Sequence, residues 1–180
     1  MHQKSITFIF LTSVLVFLCS CSYLACKDYY EDPDSYKEIW NLAGFRHGYD
    51  GISPFFPNTL ENKEVEKFFC RYDQQLPVGE GVQVFLQIRY KDNEFRQEVE
   101  RLAKISFRAD EYFDESDFLV YALRLGENCS SEYAIIDEQE GIIIYIFLYF
   151  IPKSQIEIEH SLIPDVYAGY GDYLLESTIE

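Results

Sequence analysis

The decapeptide Ile142-Ile143-Ile144-Tyr145-Ile146-Phe147-Leu148-Tyr149-Phe150-Ile151 carries no charge, and its only polar atoms outside the backbone are two tyrosine hydroxyls. Ten residues are too few for a helix to cross a bilayer, which takes roughly 20. β-Branched and aromatic residues dominate, and such residues favour extended chain. A run this apolar on both alternating faces reads as a central strand covered from two sides. One face holds Ile142, Ile144, Ile146, Leu148 and Phe150, which we expect to meet a helix. The other holds Ile143, Tyr145, Phe147 and Tyr149, expected under an N-terminal segment.

Working outward, Glu138-Gln139-Glu140-Gly141 joins this strand to a preceding one over Glu132–Asp137. Gly141 supplies the left-handed residue that such a connection needs. Phe118–Leu125 reads as another strand. Val82, Val84, Leu86, Ile88 and Tyr90 alternate with Gln83, Gln87 and Arg89, the pattern of a half-buried strand. Glu64–Tyr72 places Phe68, Cys70 and Tyr72 on one side, and Asp73–Gly81, with Pro77 and two glycines, reads as a turn region.

Asn93–Ser106 has helical periodicity, with Asp92 placed to cap it. Phe95, Val99, Leu102 and Ala103 share its apolar face; Gln97, Glu100, Arg101 and Lys104 lie opposite. A short helix after Ser35 is expected from the capping-box pair Ser35 and Glu38, with Tyr36, Ile39, Trp40 and Ala43 on one face and Gly44 ending it. Pro54 and Pro57 bracket Phe55-Phe56, of which at least one should plug the core. The fold class is therefore α+β: an antiparallel sheet of about five strands, one long helix on a face and a short N-terminal helix. The globular part is expected as one unit over residues 35–180.

The chain of 180 residues has a formal charge of −16. That field repels nucleic acid and anionic lipid alike, and favours a cationic partner. Fifteen Tyr and 15 Phe exclude an acidic disordered protein, which would be poor in aromatics.

The first residues explain where such a domain would work. Lys4 precedes the apolar run Ile6–Leu18, which ends in Leu18-Cys19-Ser20-Cys21. A basic start, an apolar core and a small-residue end make a secretory signal. The ending resembles the lipobox of bacterial membrane lipoproteins: an aliphatic residue, two small ones and a cysteine. The resemblance covers the signal alone. It implies a signal peptide over residues 1–20, lipidation of Cys21 and attachment to the outer face of the cell membrane. Residues 21–34 would form an acidic tether.

Two other cysteines compete. Leu18 is too large to precede a cleaved Cys19, whereas Ala25 fits before Cys26 but Tyr23 fits the upstream aliphatic position badly. A retained spanning helix over residues 6–26 is the alternative anchor, and it leaves the domain on the same outer side. Removal of residues 1–20 takes away one Lys and no acid, leaving 14 basic against 31 acidic side chains and a charge of −17.

Chemistry is sparse. Cys70 and Cys129 are the one pair inside the folded part; they either form a disulfide, as export permits, or lie buried as small hydrophobes. Gly44-Phe-Arg-His-Gly-Tyr-Asp-Gly51 gathers Arg46, His47 and Asp50 but matches neither a P-loop nor GxGxxG. His160 ends Ile156-Glu-Ile-Glu-His, an edge-strand alternation. Asp110–Asp117 is dense in acids but lacks the glycine and ligand order of an EF-hand. GxSxG, SxxK and HExxH are absent. Tyr167, Tyr170 and Tyr173 recur every third residue, as core or as a contact ridge.

No catalytic, cofactor-binding or metal-binding set is therefore expected, and Cys21 is the single functional residue assigned. The partners implied are the membrane through a lipid anchor, and a basic protein or a small ligand, with no nucleic acid. The function expected is an acidic binding or accessory domain on an exported lipoprotein. An immunity- or inhibitor-type protein that occupies a basic partner is one alternative, and an anchored hydrolase working around His47 is another.

Overall fold

Seven antiparallel strands form one sheet, in the order β1-β2-β3-β7-β6-β5-β4. The computed structural model describes residues 25–40, 52–75, 79–113, 118–127 and 129–167. The strands are β1 (Ala25–Tyr30), β2 (Glu64–Gln75), β3 (Gly79–Arg89), β4 (Phe107–Arg108), β5 (Leu119–Glu127), β6 (Ser130–Asp137) and β7 (Ile142–Tyr149). The helices are α1 (Tyr36–Ile39) and α2 (Asp92–Ile105). Two meanders, β1-β2-β3 and β4-β5-β6-β7, meet at β3 and β7, so the run Ile142–Tyr149 is central, paired with β3 on one side and β6 on the other. The α+β class and the antiparallel sheet are as expected.

The strand count of about five is corrected to seven among the described residues. The two additions, β1 and β4, are both edge strands. β1 comes from the stretch expected as a tether, and pairs with β2 from Ala25↔Gln75 to Tyr30↔Cys70. An edge strand needs only one paired side, so six mixed residues suffice where a central strand needs an apolar run. β4 has two residues, below what alternation can reveal.

The N-terminal segment covers the Ile143, Tyr145 and Phe147 face of β7 as expected, but the long helix lies on that face too, not on the face of Ile142, Ile144, Ile146 and Leu148. Ile143, Tyr145 and Phe147 lie in the core under both helices, with Tyr36, Ile39, Trp40, Phe55, Phe56 and Leu102. Ile146 and Leu148 lie under the C-terminal segment, with Ile151, Ile156, Ile158, Ile163 and Tyr167. Pairing fixes the choice. Phe147 is opposite Val84 and Tyr145 opposite Leu86, so they share the apolar side of β3; Leu148 faces Gln83 and Ile144 faces Gln87. The helix follows the apolar side of β3.

Residues 151–167 contain no strand, only two short 3-10 turns, yet they form a third layer. Ile156 and Ile158 point inward and Glu157 and Glu159 outward as expected. Tyr133 Oη donates to the Leu162 carbonyl at 2.7 Å and Tyr167 Oη to that of Ile151 at 2.7 Å. Tyr167 is therefore core; Tyr170 and Tyr173 lie outside the described residues. Arg71 Nη1 donates to the Gln155 carbonyl and to Glu157, while Arg71 Nη2 meets the buried Asp73 at 2.6 Å. Backbone polar groups with no ladder partner are thus held by buried side chains.

Local chemistry differs from expectation in three places. Ser35 does not close a capping box; its hydroxyl donates to the Asp32 carbonyl at 2.6 Å, and Asp32 accepts from the Asp34 N–H. Lys91 occupies the N-cap of α2, with Asp92 as the first helical residue. Ala103 is exposed, and Arg101 turns inward to donate to the carbonyls of Pro54 and Phe55 at 2.5 and 2.7 Å. Gly141 adopts φ +66° as its turn requires. Cys70 and Cys129 are both buried and are not joined in a disulfide.

The strand register gives the sheet two ends. Ala25 is level with Gln75 and the β2–β3 connection. Glu64 is opposite Arg89, and Arg89 opposite Ile142, so the β6–β7 turn lies at the other end. Eleven residue steps from Gln75 to Glu64 separate the ends by about 36 Å at ~3.3 Å per residue.

Candidate functional site

Three polar clusters lie inside the fold. The most enclosed joins Ser53, Glu132 and Arg124. Glu132, on β6, has no exposed surface; it accepts from the Ser53 hydroxyl and from Arg124 Nη2, the latter at 3.1 Å. Ser53 Oγ also accepts the Phe55 N–H at 3.1 Å. A serine against a carboxylate is the start of a nucleophile–base pair. Here, however, both are fully buried, and the serine oxygen is engaged in fixing the loop. The arrangement locks residues 53–56 onto the sheet.

The second cluster does the same for α2. Glu98 accepts from Tyr145 Oη at 2.5 Å and from Arg101 Nε and Nη2 at 2.8 and 2.6 Å. Because Tyr145 gives its proton to Glu98, Tyr90 Oη donates to Tyr145, 2.8 Å away. Burial pushes the Glu98 carboxyl up, but the Arg101 and Tyr145 hydrogen bonds and the Arg101 charge outweigh it, and its pKa falls below the ordinary value. Burial pushes the Tyr90 and Tyr145 hydroxyls up, with the nearby carboxylate adding to it, so both remain protonated donors. The third cluster, Arg71 with Asp73 and Glu157, holds the C-terminal layer as described.

The open surface is different in kind. At the β6–β7 end of the sheet a groove of about 830 Å³ runs between the turn and the β4–β5 edge. Phe118, 39% exposed, and the half-buried Leu119 provide apolar surface, with the buried Ile136 beneath. Four carboxylates line it, Asp110, Asp137, Glu138 and Glu140, against one cation, Arg108. Asp110 is partly neutralised: its carboxylate meets Arg108 at 2.5 Å and accepts the Val120 N–H at 2.9 Å. Partial burial raises its pKa, but these hydrogen bonds and the Arg108 charge lower it further, for a net downward shift. Asp137 uses one oxygen on the N–H groups of Gln139 and Glu140, which shapes the turn. Glu140 is 3.5 Å from Arg89, and Glu138 has no ion pair among the described residues.

Ile105, at the end of α2, and Phe107, on β4, are 38% and 46% exposed, and neither lines the groove. A second groove, about 530 Å³ around Tyr36 and Leu60, lacks this signature: Asp34 and Glu61 are balanced by Lys37 and Lys63, and Tyr36 is buried.

Of the residues singled out from sequence, Arg46, His47 and Asp50 lie outside the described residues, as do Cys19, Cys21 and residues 114–117. His160 is exposed on a 3-10 turn. Among the described residues no group of three or more His, Cys, Asp or Glu is placed to hold a metal ion, and no helix is long and apolar enough to cross a membrane. Sequence reading missed the groove. Its apolar part depends on β4 being too short to cover its neighbour, which no local pattern announces. Comparison with protein-family models, with curated proteins and with solved structures finds no match to this chain.

Proposed function

We propose that this chain is an exported bacterial lipoprotein whose acidic α+β domain acts by binding another molecule at the membrane surface. The observation that carries the reading is the polarity of the sheet. Its first strand begins at Ala25, four residues after Cys21. Four residues span at most about 14 Å, so lipidation at Cys21 would hold the Ala25 end close to the bilayer. The acidic, aromatic-edged groove lies at the opposite end. An anchored protein with its most interactive surface turned outward is arranged for capture. One acyl chain holds a membrane only marginally, and two or more hold it stably, as a diacylglycerol cysteine would.

Binding is favoured over catalysis because the enclosed polar clusters have structural tasks and the open groove offers charge and apolar surface. Metabolic labelling with a radioactive fatty acid in a bacterial host tests the anchor. Label should enter the wild-type protein and be lost in Cys21→Ala; label retained by that variant contradicts the assignment. The immunity- or inhibitor-type alternative draws on the same surface, since a charge of −17 on the processed chain suits a basic enzyme or toxin.

A further inference from the structure

We infer that the groove between the β6–β7 turn and the β4–β5 edge receives a cationic segment of a partner protein in which an aliphatic or aromatic side chain accompanies the basic residues. This rests on the binding reading above and names the partner's chemistry.

Charge complementarity selects the occupant. Four carboxylates line the groove against one arginine; Asp110 is paired with Arg108 and Glu140 lies 3.5 Å from Arg89, while Glu138 forms no salt bridge among the described residues. A strongly acidic chain repels a second copy of itself, nucleic acid and anionic lipid. The apolar surface selects further. Phe118 is 39% exposed beside the half-buried Leu119, and that surface gains nothing from a bare lysine but closes over a leucine-sized group. A volume of about 830 Å³ is enough for a few side chains. The acids steer and set register, while the aromatic surface holds.

The test uses the full-length lipoprotein in neutral phosphatidylcholine nanodiscs, which do not attract the probe electrostatically. The probe is a fluorescein-labelled lysine-rich peptide with leucine at every third position; its control has serine in place of leucine. The leucine peptide should bind about tenfold more tightly than the control, the scale of one half-buried leucine. Phe118→Ser should abolish that difference. Glu138→Gln with Glu140→Gln should weaken both peptides about tenfold and flatten the salt dependence. Neutralising two acids elsewhere, Glu31→Gln with Glu61→Gln, should change affinity less than about twofold.

Equal losses from remote and groove neutralisation would mean that diffuse charge alone attracts the probe; that overturns the groove while leaving the anchored-binding reading intact. Leucine and serine peptides binding alike overturns the apolar subsite. No binding of either peptide overturns the groove and the cationic-partner reading together. Glu138 is exposed, so its variant reports on the groove even where Phe118→Ser lowers stability.

Discussion

Replacing Glu132 by Ala removes the most deeply buried carboxylate in the described fold. Glu132 has no exposed surface, accepts the Ser53 hydroxyl, and pairs with Arg124, whose side chain retains 25% of its exposure. Breaking a buried pair by deleting one partner costs about 3–5 kcal/mol, because the remaining charge is left uncompensated. Partial solvent access to Arg124 moves the expectation to the lower end, about 3 kcal/mol. Ser53→Ala leaves the ion pair in place and should cost only about 1 kcal/mol.

The lone Trp of the chain is a built-in reporter. Trp40 is 2% exposed, packs edge-on against Phe56 at 5.0 Å, and lies over Phe147, the pairing partner of Glu132. Urea unfolding followed by its fluorescence should show a lower midpoint at unchanged slope. The double variant should be less destabilised than the sum of the singles, by about 0.5–3 kcal/mol of coupling. A Glu132→Ala cost below about 1 kcal/mol, or strict additivity, would refute the claim that this cluster clamps residues 53–56 to the sheet.

Three further outcomes are expected. Gly126→Ala should destabilise by about 1–3 kcal/mol, measured by the same urea midpoint, since Gly126 has φ +69° and a Cβ there would sit 2.7 Å from the Val166 carbonyl; an unchanged midpoint would mean the C-terminal layer does not lie against β5. The depressed Glu98 carboxyl contributes stability that is complete above the ordinary glutamate pKa near ~4.3 and is lost as pH falls through the lower folded value. Tyr145→Phe removes one of the bonds holding it down, so the difference in urea midpoint between wild type and variant should shrink as pH is lowered through that range. A difference independent of pH would contradict this. Burial raises the Cys70 thiol well above its ordinary value, so iodoacetamide should modify it only after unfolding; rapid alkylation of native protein would show that the core around it is open.

Much of the fold was legible because strong periodicity and tertiary demand coincide. The runs over Val82–Ile88 and Ile142–Leu148 are strands because no other element buries them. The helix over Asp92–Ile105 was equally clear, although Arg101 on its supposed outer face turns in to hold a loop whose position only the tertiary fold sets. The helix-facing side of β7 was not legible from that strand alone, since both its sides are apolar; it follows from the glutamines of β3. Edge strands escaped because pairing on one side makes weak demands on composition. The candidate site was least legible. Asp137–Glu140 reads as a turn in any context, and Phe118 reads as core until its neighbours are known to leave it partly uncovered.

The orientation of the domain is the claim on which the functional account depends. An azide-bearing side chain introduced at position 27 or at position 139 of the lipidated full-length protein can be coupled to a fluorophore in liposomes carrying head-group quenchers. Position 27 is level with Asp73 on β2, and position 139 is in the β6–β7 turn, about 30 Å further along the strands. Strong quenching at 27 and none at 139 is the predicted result. Equal quenching at the two positions, or quenching at 139 alone, would contradict a groove held outward from the membrane.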